Sequence, residues 1–310
     1  MEFEFDKDQR LLRQSVRETL AKTKTLPEDA QWSTYTELGW LEAPPVELAI
    51  VLEELGYVAD PTPFLATATW FAPLAGRLPD GAGGRGGAGT AVFDGAGRYV
   101  LDADRSAEVA LLTAEGVTVV PGGELVTERV ATFDQRLHVA RVTAPAGTTL
   151  VAGVPDLALM GLAITTVGAC RKILDMTVTY VKQRHQFGVP IGSFQAVKHK
   201  AADMYVAIER AKALAYFSAL TLAEEDPRAH RAALMGKAAA GECQQVVFAN
   251  SLQLHAAIGF AWENELQFYL KRAVAGDLLL GTASVHRKAL LAAQAPDTAD
   301  RAKEKEKEAA

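Results

Sequence analysis

The chain is poor in cysteine, in long apolar runs and in net positive charge, and each shortage removes a class of function. Two cysteines in 310 residues, Cys170 and Cys243, cannot build a disulfide framework. Neither has the CxxC or Cys/His spacing of a zinc ligand, so both are expected as buried reduced thiols. No apolar run approaches the roughly 20 residues that cross a bilayer. The opening MEFEFDKDQRLLRQ has neither a basic stretch nor an apolar core, so the expectation is a cytoplasmic protein with no membrane association. Lys and Arg number 32 against 38 Asp and Glu, a net charge of −6, and the signs are mixed throughout. The basic footprint that a phosphate backbone demands is missing, which argues against nucleic acid as a partner.

What is present is 49% hydrophobic and 23% charged residues, enough to bury more than one core. From Asp6 to about Ala75 the pattern is helical. DKDQRLLRQSVRETLAK repeats apolar residues at three and four, and PPVELAIVLEELG follows two prolines suited to opening a helix. Residues 1–80 therefore read as an N-terminal helical domain. The following LPDGAGGRGGAGT contains Gly81-x-Gly83-x-x-Gly86, a dinucleotide-binding pattern as a bare string. A working fingerprint follows a buried strand and opens a helix. Here Pro79-Asp80 precedes the glycines and the strand-like AVFDGAGRYVLD follows them, so the stretch reads as a linker.

Between 90 and 152 short β-rich pieces recur, EVALLT, GVTVV and RLHVARVTA among them, punctuated by glycine turns. They predict a small middle β domain, short for a sheet that must enclose a cofactor by itself. From 155 to 296 the pattern is helical again. Met160, Ile164, Val167, Cys170, Leu174, Val178 and Val181 share one face, as do Ala201, Met204, Ile208, Ala211 and Ala215. Asp226-Pro227 predicts an N-cap and first turn for a third helix running to about His255, and a fourth helical region covers Trp262 to Ala293. The sum is a C-terminal four-helix bundle, followed by a charged tail at 297–310. The fold class is mainly α with a small middle β domain.

Periodicity names no reaction. Two segments do carry a resemblance: YVKQRHQFGVPIGSFQAVKHKAADM at 180–204 and LQLHAAIGFAWENELQFYLKRA at 252–273 resemble signatures of the acyl-CoA dehydrogenase family. The order and length of the three regions agree with that family, and the likeness is strongest from about residue 155 onward. The resemblance implies an N-terminal helical domain, a reduced β barrel and a four-helix bundle. It also implies FAD lying across a subunit interface, its ADP end reached by the neighbour's bundle. In this chain Arg184 matches the arginine that meets the pyrophosphate, where a guanidinium fork suits oxyanions. Phe187 matches the aromatic residue near the adenosine, and Gln253 the glutamine that hydrogen-bonds the diphosphate. The paired glycines that follow that glutamine stand here as Ala256 and Ala257, while Thr282 and Ser284 occupy the positions of own-subunit FAD contacts.

The resemblance also implies a glutamate that removes the acyl α-proton while hydride leaves for the flavin. Counting from Gln253, its usual place is Leu280 in Leu280-Gly281-Thr282; its alternative place falls on Ala158 beside Leu159. Neither holds an acid, and the β region lacks the family's Gly-Ser-Asp type segment. The chain thus resembles the small, base-less subunit of heteromeric acyl-CoA dehydrogenases, such as the α2β2 enzymes of actinobacterial steroid side-chain catabolism. The expected partners are a longer catalytic subunit, an acyl-CoA substrate held mainly by that subunit, and electron-transfer flavoprotein. Two alternatives stand beside this: a self-sufficient dehydrogenase using Glu242 as base, and a purely structural partner subunit. Glu263 matches an acid outside the reaction centre, and His185, His199, His255 and His286, which lack ligand spacing, read as structural.

Overall fold

The computed structural model describes residues 4–81, 87–93 and 99–294. The centre of the glycine-rich linker at 82–86, residues 94–98 of the strand-like piece and the charged tail at 297–310 lie outside the described residues.

Helix α1 (Lys7–Thr23) starts at Asp6, whose carboxylate accepts the Gln9 N–H at 2.8 Å while the Gln9 side chain returns to the Asp6 N–H, a reciprocal capping box. After α2 (Glu28–Glu37), α3 (Pro45–Val58) opens on a proline and is buried over most of its length. α4 (Phe64–Ala66), a π-helical turn (Thr67–Phe71) and α5 (Ala72–Ala75) then run as one apolar helix.

The middle region holds two three-stranded sheets. In the first, β1 (Gly89–Val92) pairs in parallel with β3 (Glu108–Thr113), which forms an antiparallel hairpin with β4 (Gly116–Pro121). In the second, β6 (Val139–Thr143) lies between β2 (Tyr99–Leu101) and β5 (Val126–Arg129), antiparallel to both. EVALLT and GVTVV form strands as their β-rich composition and flanking turns predict. The sheets do not close a core alone: Val100, Leu111 and Val142 share one apolar cluster with Trp70, Phe71, Ala158, Leu159, Leu162, Ala233, Leu234 and Leu280. That sharing is how so small a β region is stabilised.

The bundle comprises α6 (Asp156–Gln183), α7 (Gln195–Ala223), α8 (Ala229–His255), α9 (Leu266–Leu278) and α10 (Ala283–Gln294). A short hairpin, β7 (His185–Gln186) and β8 (Val189–Pro190), joins α6 to α7. An 18-residue window of α6 is apolar enough to cross a bilayer by composition, yet 72% of it is buried inside the fold, as befits the central helix of a bundle. Met160, Ile164, Val167, Cys170 and Val181 are buried as the periodicity predicts; Leu174 and Val178 are half-buried because Ile173 and Thr177 take the inner face there.

Two boundaries differ from the sequence reading. The fourth helical region is two helices, broken at Leu280 and Gly281, whose φ values of 55° and 99° no helix accommodates. The third helix starts at Ala229 because the Asp226 carboxylate turns onto the N–H and guanidinium of Arg228.

α3 and α6 cross at contact distance. A Cβ on Gly56 would stand 2.2 Å from the Thr165 carbonyl oxygen, and one on Gly168 2.1 Å from that of Glu53. Beside this crossing the buried carboxylates of Glu53 and Glu54 meet Arg13 and Arg171, with Arg17 on Glu54 and Lys212 and the Tyr216 hydroxyl on Glu53. Burial would raise the pKa of Glu53, and Arg171, Arg13 and Lys212 together hold it below the ordinary value. The network ties α1, α3, α6 and α7 into one body.

Candidate functional site

At one end of the bundle α6 stops at Arg184, which leaves helical geometry at φ −75° and ψ 123°. Its N–H donates to the Tyr180 carbonyl and its own carbonyl accepts from Ile191, each at 2.8 Å, so its backbone is fixed on both sides. The guanidinium is exposed and pairs with no carboxylate among the described residues. The hairpin that follows turns at Phe187 and Gly188, φ 54° and 80°, the two left-handed residues that such a loop demands. Phenylalanine there costs backbone strain. Its ring is 91% exposed and meets Phe194 edge-on, centroids 6.2 Å apart.

Gln253, exposed near the end of α8, and Ala257, exposed in the 3-10 turn Ala256–Phe260, lie at the same end. The two segments meet because the Tyr180 ring stacks on the His255 ring, centroids 4.5 Å apart and planes 17° from parallel. Beside the stack runs an open groove of about 460 Å³ lined by Lys172, Gln183, Ile258 and Asn264 among others. Ile258, Phe260 and Trp262 are exposed around it. An unpaired guanidinium, a free carboxamide and an exposed ring are donor and stacking groups of the kind a dinucleotide's diphosphate and adenine take up.

The remaining positions lie elsewhere. Thr282 and Ser284, whose hydroxyls bond each other at 2.9 Å, flank the α9–α10 break. That break sits over Lys237, sixteen residues of α8 before Gln253, which is about 24 Å of helix. Lys237 is fully buried and donates to the carbonyls of Asp277 at 2.9 Å and Gly281 at 2.8 Å. Burial lowers its pKa to about 8 against the pull of Asp277. His286 donates from Nε2 to the carbonyls of Leu280 and Gly281, and burial followed by the Lys237 charge lowers its pKa. Leu280, 9% exposed, and Ala158, with no exposure, both point into the apolar cluster shared with the sheets.

Between the sheets, α3 and α9 the space is filled by charge. Arg272 pairs with Asp134 at 2.7 Å and donates to the Asp60 carbonyl, while Arg105 joins Asp102, Glu28 and the Pro61 carbonyl. Burial raises Asp60 to about 6, opposed by Thr62, and Asp102 to about 7, opposed by Arg105. Oδ1 of Asp60 and Nη2 of Arg272 have no partner among the described residues. A cavity of about 40 Å³ remains here, room for a few waters and too small for a ring system.

Glu242 is held by two surface arginines, Arg210 and, at 2.8 Å, Arg287; both of its oxygens are engaged. Glu263, His185 and His199 are exposed. The His185 ring bonds the Gln183 carbonyl, while His255 and His286 are buried and hydrogen-bonded. Cys170 and Cys243 are free and buried side by side, their contact and burial raising the Cys170 pKa. No group of metal-ligating residues occurs among the described residues. Sequence reasoning missed Tyr180, which reads as an ordinary α6 residue, and Lys237, which reads as a solvated lysine in an alanine-rich helix.

Residues 147–295 match the family described as acyl-CoA dehydrogenase, C-terminal domain. The chain is 34% identical over 291 residues to acyl-CoA dehydrogenase IpdE2 of Mycolicibacterium smegmatis, spanning 91% of this chain and 86% of that protein. Its fold is similar to a solved ChsE4–ChsE5 complex from Mycobacterium tuberculosis (TM-score 0.78, 19% identity, 96% and 100% of the two chains). It is also similar to a variant of the Tcur3481–Tcur3483 steroid ACAD (TM-score 0.77, 22% identity, 91% and 96%).

Proposed function

The chain belongs to the acyl-CoA dehydrogenase family, and from that premise we propose that it is a subunit of a heteromeric, cytoplasmic FAD-dependent enzyme, brings no proton-abstracting base of its own, and contributes the ADP side of an FAD site to a longer partner subunit. The observation that carries the reading is the pair Leu280 and Ala158, both buried in one apolar cluster where a base would need a carboxylate. The partner's glutamate would take the α-proton of an acyl-CoA thioester while the β-hydride passes to the flavin, whose electrons leave to electron-transfer flavoprotein. On this side Arg184 would meet the diphosphate, Phe187 the adenine, and Gln253 and the Ala257 backbone the phosphate oxygens. Thr282 and Ser284, about 24 Å of helix away, would be vestiges of the chain's own flavin site. A steroid-derived acyl group is the substrate class we favour, from the steroid ACAD whose fold this chain shares.

A self-sufficient dehydrogenase relying on Glu242 is less favoured, because that carboxylate is clamped between two arginines on the surface. The test is visible flavin absorbance of the purified chain, alone and co-expressed with a longer homologous subunit. We expect a colourless chain alone and a single FAD per pair of unlike chains together. A full flavin complement on this chain by itself would refute the half-site reading. An unchanged FAD content in the Arg184→Ala complex would leave only a structural role.

A further inference from the structure

We infer that Tyr180 and His255 are positioning residues of the dinucleotide half-site: their ring stack sets the separation between the hairpin bearing Arg184 and Phe187 and the α8 terminus bearing Gln253 and Ala257. The inference rests on the half-site reading and assigns it two residues that touch no ligand.

Several observations support it. The two rings lie 4.5 Å apart and within 17° of parallel, the contact that ends the packing of α6 on α8 before each helix leads into its own loop. Tyr180 also supplies the carbonyl that receives the Arg184 N–H at 2.8 Å, so the residue that carries the ring also anchors the backbone of Arg184. His255 is held in one orientation, since its Nδ1 must donate to the Ser251 carbonyl at 2.9 Å. The 3-10 turn then folds back over it, where a Cβ on Gly259 would stand 3.0 Å from the His255 Cβ. Burial lowers the His255 pKa, which keeps the ring neutral and flat against the phenol at neutral pH. His255 lies two residues from Gln253 and two from Ala257. A single stacked pair therefore governs all four ligand-facing positions, and a misplacement of about 1 Å at such a site is expensive.

The test uses the complex of this chain with its longer subunit, stripped of flavin and titrated with FAD by flavin fluorescence. Tyr180→Leu and His255→Leu should each weaken FAD about tenfold, while Tyr180→Phe, which keeps the ring, stays within about twofold. Because Tyr180 acts through Arg184, Tyr180→Leu should add little in an Arg184→Ala background. Additive losses, or a Tyr180→Phe variant as weak as Tyr180→Leu, overturn the inference and leave the half-site reading standing. FAD affinity unchanged by Arg184→Ala overturns both. If the leucine variants do not fold, Tyr180→Met decides in their place: a folded complex that keeps unchanged FAD affinity without the ring overturns the inference, and an affinity loss of about tenfold supports it.

Discussion

Lys237 donates a 2.8 Å hydrogen bond to the carbonyl of Gly281 from a side chain that has no solvent exposure. The same ammonium reaches the carbonyl of Asp277, so one lysine from the middle of α8 holds both sides of the α9–α10 break. Lys237→Met takes this donor from the Asp277 carbonyl and leaves the Gly281 carbonyl only its longer bond from His286, and should cost about 2 kcal/mol, read as a fall in the urea midpoint. The lysine has a pH signature as well. Burial lowers its pKa from 10.5 to about 8, so between those values the unfolded chain holds a proton that the folded one has released. Stability should rise across that window, and the rise should vanish in Lys237→Met.

The carboxylates at the junction between sheets and helices slope the other way. Burial raises Asp60 from 3.8 to about 6 and Asp102 from 3.8 to about 7, so the folded chain holds protons that the unfolded one has lost. Their stabilising contribution is complete below 3.8 and is lost as pH rises through about 6 and 7. Urea unfolding at about pH 5 and about pH 7.5 should show higher stability at the lower value from these groups, with the difference reduced in Asp60→Asn and Asp102→Asn.

Ala256 adopts φ 53° and ψ −141°, a region open to glycine and strained for alanine. Ala256→Gly should raise stability by about 1 kcal/mol despite glycine's greater freedom when unfolded. Thermal unfolding of Ala256→Gly against Ala257→Gly checks this, since only the first relieves strain.

At the crossing of α3 and α6, Gly56→Ala would drive a methyl group to 2.2 Å from a backbone oxygen. Neither helix can yield without disturbing the Glu53 and Glu54 network beside it. A loss of about 3 kcal/mol is expected by chemical denaturation.

Leu280→Glu puts an acid at the position where the proposed function places the missing base, yet the side chain would enter an apolar cluster. We expect a chain destabilised by at least about 2 kcal/mol and still without acyl-CoA oxidation by itself, measured with a dye acceptor. Activity in that variant alone would show that only the base had been lost.

Much of this was legible in the residues. The apolar spacing from Asp6 onward marked α1, and the two prolines marked the start of α3, because helical periodicity and φ restriction are local. EVALLT and GVTVV showed their strands by composition and turn spacing. The α9–α10 break was legible only in part: Gly281 is a breaker that the sequence shows, but the Lys237 bond that holds the turn comes from 44 positions earlier in the chain. Ion pairs such as Arg272 with Asp134 join residues whose spacing has no period to detect. Arg184 and Gln253 became candidates through resemblance alone; the geometry adds the Tyr180–His255 contact that brings their segments together.

The shared core of the sheets fixes an order of events during synthesis. All strands of both sheets have been made by Thr143, but the surfaces they bury against, at Ala158, Leu159, Ala233, Leu234 and Leu280, follow over the next 137 residues. The nascent β region must therefore wait on the ribosome with Val100, Leu111 and Val142 uncovered until the bundle arrives. That interval exposes apolar strands and unpaired edges together, so a chaperone that shields extended segments has its greatest effect there.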